Sequence, residues 1–154
     1  MRHLLSIGMT IIAASAIMVV SVAEEGAAKE KTKEKANDTL VVEARVVEIP
    51  GAFPPNDLYN YVYIMKYRVT EVLKGSYDDK EILVGHYNPL IPRKQVSDKM
   101  DKYVDGNVEK FEEGAKHKLT LIKPIDKVWQ EALEDEYFDT QDDKYYALKA
   151  EKLK

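Results

Sequence analysis

His86, His117 and a run of closely spaced tyrosines are the side chains of this 154-residue chain whose types and spacing point to chemistry beyond packing. Each histidine sits on the apolar parity of a strand-like segment, with Ile82, Val84 and His86 on one side of residues 81–87, and His117, Leu119 and Leu121 on one side of residues 116–122. If those strand ends share a rim, the two imidazoles meet beside Glu112 or Glu113 in a two-histidine, one-carboxylate metal site. The spacing matches no established ligand motif, and a partly buried histidine bonded to backbone is the competing interpretation. His86 and His117 are therefore the metal candidates, and no cofactor is expected.

Tyr59, Tyr61, Tyr63 and Tyr67 recur along one face of residues 59–73, and Tyr87 and Asn88 follow His86. With His86, these residues are the candidate ligand-binding set, because a row of rings at every second position is the kind of stacking platform that sheets offer to sugars or single strands. A core-facing row has the same spacing, and Lys66 and Arg68 on the opposite parity favour it. No residue is assigned as catalytic. Ser76 and Ser97 lie in no nucleophile elbow, no glycine-rich phosphate loop occurs, and Asp135, Glu136, Asp139, Asp142 and Asp143 lack the alternation of a calcium loop, so they suggest a solvated acidic stretch.

Composition narrows the function classes further. A net charge of −4 gives no positive field for nucleic acid, which is not an expected partner. The chain has no cysteine, which removes thiol chemistry, disulfides and cysteine metal sites. Met1-Arg2-His3, the apolar residues 4–22 and Ala23 have the form of a signal peptide over 1–23, with an uncleaved membrane anchor as the alternative and the sole expected contact with a membrane. The expected location is therefore periplasmic or extracellular. Residues 24–39 alternate glutamate, lysine and alanine without apolar periodicity and suggest a charged linker. One domain is expected over 40–154.

That domain must position the candidate residues, and residues 59–73, rich in tyrosine and β-branched side chains, provide its longest strand. At about 3.3 Å per residue they are too long for a straight strand in so small a domain, so a bend or bulge is expected. Residues 40–49 form an earlier strand whose parity changes at Val46 and Val47, as a bulge produces. Residues 81–87 and 116–122 are further strands. Helical spacing of Val96, Met100 and Tyr103 predicts a short helix, and Val128, Trp129, Ala132, Leu133 and Tyr137 predict a second over 127–138. Residues 144–153 suit strand or helix, and strand is preferred because a five-stranded barrel needs a closing partner.

The expected fold class is mainly β with two short helices, in an order that resembles the OB-fold, a five-stranded Greek-key barrel. The run over residues 67–75 also resembles the tissue-inhibitor-of-metalloproteinase and netrin-like modules. Those inhibitors act through an N-terminal cysteine and disulfides that this chain lacks, so the resemblance implies the fold without protease inhibition. Asp57-Leu58-Tyr59-Asn60-Tyr61, Val84-Gly85-His86-Tyr87-Asn88-Pro89 and residues 111–121 resemble an uncharacterised exported bacterial family, and that resemblance implies a setting related to exopolysaccharide O-acetylation. The expected function is a non-catalytic exported binding module of the cell envelope whose partner is a polysaccharide or a protein. The alternatives are a small metal-dependent enzyme using His86 and His117, and a structural subunit-interaction domain.

Overall fold

A computed structural model describes residues 39–154. The expected signal peptide, and the linker apart from Thr39, lie outside the described residues. Seven strands form one sheet: β1 (Thr39–Glu48), β2 (Val62–Lys74), β3 (Glu81–Tyr87), β4 (Asp105–Gly106), β5 (Lys116–Ile122), β6 (Leu133–Glu134) and β7 (Lys144–Lys152). Five of them close a barrel in the order β1, β2, β3, β7, β5 and back to β1, with β3 and β7 parallel and the other neighbours antiparallel. The chain is mainly β, with the OB-like order expected from its elements.

Strand β2 holds the ring together. Its first half pairs with β3 from Val62↔Tyr87 to Arg68↔Glu81, and its second half with β1 from Glu48↔Lys66 to Val41↔Lys74. Only Lys66 to Arg68 are laddered to both barrel neighbours. Three register shifts along β1, one of them between Val46 and Glu48, supply the coiling that closure demands. Alternation then divides the core. Tyr61, Tyr63, Met65 and Tyr67 join Val42, Ile82, Val84, Leu119 and Leu121 inside the barrel, while Val62, Ile64, Leu83, Tyr87 and Tyr146 form a second core on its outer face.

The two predicted helices are replaced by single 3-10 turns. Arg93–Gln95 and Asp101–Tyr103 flank an extended Val96, and Asp105 and Gly106 pair with β7 as β4. The second stretch forms one turn at Ile125–Lys127, after which Val62 N–H bonds Ala132 O (3.0 Å) and Leu133–Glu134 joins β2 as β6. The apolar spacing is used, because Met100, Val104, Trp129 and Tyr137 are all buried. What fails is the inference to helix. The open backbone edge of β2 takes hydrogen bonds that a helix would have kept within itself. Residues 123–138 thus form a strap across the outer face of β2 and β3. Gly85 makes room for it, since a Cβ there would lie 2.6 Å from Ile125 Cδ1.

Candidate functional site

The histidines do converge, although β7 separates their strands. Tyr67 reaches across the barrel interior, and its hydroxyl lies 3.0 Å from His86 Nε2 and 3.2 Å from His117 Nδ1. The hydroxyl has one proton, so it donates to one ring and accepts from the other, which sets complementary tautomers. Phe111 packs against both imidazoles, with ring centroids 4.4 Å from His86 and 5.6 Å from His117. The buried Arg93 closes this end, its Cζ 5.3 Å from the Phe111 centroid and its Nη2 donating to Asn88 O and Ile91 O, both at 2.7 Å.

Electrostatics follow from this burial. Burial, then Arg93, then His117 hold His86 well below the usual histidine range. Burial first, then Lys152, lowers His117 to about 4. Both rings are therefore neutral at pH 7. The Tyr67 hydroxyl is pushed far up by burial and remains protonated.

The expected metal site is not assembled. The imidazole nitrogens that face each other share one tyrosine hydroxyl, Glu113 Oε1 accepts from Ile49 N (3.1 Å), and Glu112 pairs with Lys110 at 2.7 Å in solvent. Among the described residues, no three histidine, cysteine, aspartate or glutamate side chains group to hold a metal ion. The trio is instead an internal hydrogen-bond bridge between three strands. Replacing Tyr67 with phenylalanine leaves a ring nitrogen on each histidine without that partner, and should lower stability by about 2–3 kcal/mol. Urea denaturation checks this, with the exposed Tyr59→Phe expected to change stability by less than about 1 kcal/mol; equal losses would show that the bridge contributes nothing.

The candidate ligand platform turns inward. Tyr61, Tyr63, Tyr67, His86, Tyr87 and Asn88 are buried and only Tyr59 is exposed. Tyr61 and Tyr63 donate to Pro54 O and Pro50 O, and Tyr87 to Asp98 Oδ2 at 2.6 Å. Asn88, at φ 37°, acts as a backbone clamp: its Oδ1 accepts from Tyr61 N (3.0 Å) and its N–H bonds Tyr61 O (2.9 Å). The acidic stretch is also more structured than expected, since the half-buried Asp135 pairs with Lys144 at 2.5 Å and Asp143 pairs with Lys123.

An open concavity lies elsewhere. A groove of about 770 Å³ runs along the uncovered half of the outer β2–β3 face, lined by Lys66, Arg68, Leu83 and Glu81, and walled by residues 77–80 on one side and Asp142, Asp143 and Tyr145 on the other. Tyr77 and Tyr145 meet edge to face there, with centroids 6.0 Å apart. Arg68 and Glu81 pair at 3.1 Å, while Asp79, Lys80 and Asp142 form no ion pair among the described residues. The other half of the face is filled by the strap, where Trp129 packs on Tyr87 (5.2 Å) and Tyr137 donates to Glu48 at 2.8 Å. The outward parity of Lys66 and Arg68 opposite Glu81 was the available sequence signal for this groove. Arg93, alone after Pro92, gave none. No protein-family model, curated protein or solved structure matches the chain.

Proposed function

We propose that this protein is a non-catalytic binding module of the cell envelope that takes a polysaccharide segment in the β2–β3 groove. The groove carries the proposal. The face of strands two and three is where OB barrels bind oligosaccharides or oligonucleotides, and this is the half of that face the strap leaves open. Its charges separate those two ligands. Asp79, Glu81, Asp142 and Asp143 stand against Lys66, Arg68 and Lys80, a balance that offers a phosphate backbone no net attraction. The same mixture suits sugar hydroxyls, which donate to carboxylates and accept from ammonium and guanidinium groups. The proposal for export rests on residues 1–23.

The test is affinity electrophoresis of the full chain in gels containing neutral or uronic-acid polysaccharides. Retardation by at least one polysaccharide is expected, and Arg68→Ala or Asp142→Ala should weaken it about tenfold, the worth of one charge-assisted hydrogen bond. Unchanged mobility in every gel, or retardation indifferent to both substitutions, would refute the proposal.

A further inference from the structure

The far end of β2 and β3 from the groove has a different chemistry. Three segments meet there, residues 49–61, 88–91 and 132–136. Asn88 Nδ2 donates to Asn60 Oδ1 at 2.8 Å, Tyr59 Oη donates to Glu134 Oε1 at 2.6 Å, and Val62 pairs with Leu133. Four of the six exposed large apolar side chains of the described residues lie on these segments. Leu58 is 75% exposed, Leu90 51%, Tyr59 41% and Leu133 39%. Scattered apolar residues are ordinary on a surface, but their concentration on segments bonded to one another singles out this end as a candidate contact surface.

The charge of these segments indicates the occupant. They contain no lysine or arginine, and hold Asp57, Glu134, Asp135 and Glu136, of which only Asp135 forms an ion pair among the described residues, with Lys144. We propose that this barrel end docks a protein segment that presents apolar side chains together with lysine or arginine. A second copy of the chain meeting it symmetrically would set acids against acids. An anionic lipid surface would be repelled. An apolar and basic segment buries the leucines and tyrosine while placing cations over the unpaired carboxylates. This inference is independent of the groove and its ligand.

The test titrates the full chain with a synthetic leucine–lysine helical peptide, a leucine–glutamate peptide of equal length and poly-lysine, followed by fluorescence anisotropy. The leucine–lysine peptide should bind, and the leucine–glutamate peptide should not. Leu58→Ser with Leu90→Ser, and separately Glu134→Gln with Glu136→Gln, should each weaken binding at least about tenfold. Asp79→Asn with Glu81→Gln, at the groove, should leave it within about twofold, as for exposed charges outside the docking surface. The proposal is overturned if the leucine–lysine peptide fails to bind, if poly-lysine binds equally well, if the groove pair loses as much as the end pairs, or if Leu58→Ser with Leu90→Ser instead abolishes self-association of the chain.

Discussion

Lowering the pH from 7 to 4 is expected to remove about 3 kcal/mol of folding stability through His117 alone, with His86 adding a loss of the same sign. Both imidazoles are buried and neutral in the folded barrel, His117 at about 4 and His86 well below its ordinary value. In the unfolded chain a histidine titrates near 6.5, so below that pH the unfolded state takes up protons that the folded state refuses. The contribution is fully present above about pH 7 and falls as the pH drops from about 6.5 toward 4, continuing lower for His86. Urea denaturation at pH 7.5, 5.5 and 4.5 measures the slope. His117→Asn, which removes the titrating ring, should flatten the profile relative to its own stability at pH 7.5. A slope unchanged by that substitution would assign the acid sensitivity to carboxylates.

Gly106→Ala should be the most destabilising single methyl addition in the barrel, at about 4 kcal/mol. Gly106 sits at φ 117° in β4, and a Cβ would stand 1.9 Å from Ala150 O and 2.6 Å from its carbonyl carbon. Both obstacles are backbone of β7, which cannot rotate away. The close approach is what lets Ala150 O accept from Asn107 N at 3.0 Å, and Asn107 Oδ1 accept from Lys152 N at 2.7 Å. Displacing β4 would also shift the buried Val108 and Phe111, and Phe111 packs on both histidines. Gly114→Ala separates the two effects. That glycine also has positive φ, at 83°, but nothing lies within 4 Å of its Cβ position. Its loss should be limited to backbone strain, about 1 kcal/mol. Equal urea midpoints for the two variants would show that the contact with Ala150 is not the determinant.

The strands of this barrel were legible because their apolar residues alternate between breaks and their ends are marked. Glu81–Tyr87 and Lys116–Ile122 have the bounds expected from sequence, the parity change near Val46 coincides with a register shift, and the ambiguous C-terminal stretch is strand Lys144–Lys152. The strap was not legible. Its apolar positions have helical spacing, but spacing records only which side chains are buried, and here a sheet edge competed for the backbone at Ala132 and Leu133. Inward parity placed His86 and His117 correctly, yet their junction through Tyr67 depends on the width of the closed barrel, which no local pattern encodes. The groove was hidden for a similar reason, since its walls come from loops some sixty residues apart in the chain.

Closure through β2 has a further consequence for a chain without cysteine. With no covalent staple, resistance to proteolysis depends on how rarely a cleavable form is visited. An open sheet can release its outermost strand while the rest survives, exposing a ladder to proteases and to other chains. Each of the five barrel strands is instead held by neighbours on both sides, and β2 spends its two halves on different neighbours. No barrel strand can leave without opening the ring, so opening is confined to rare, large events.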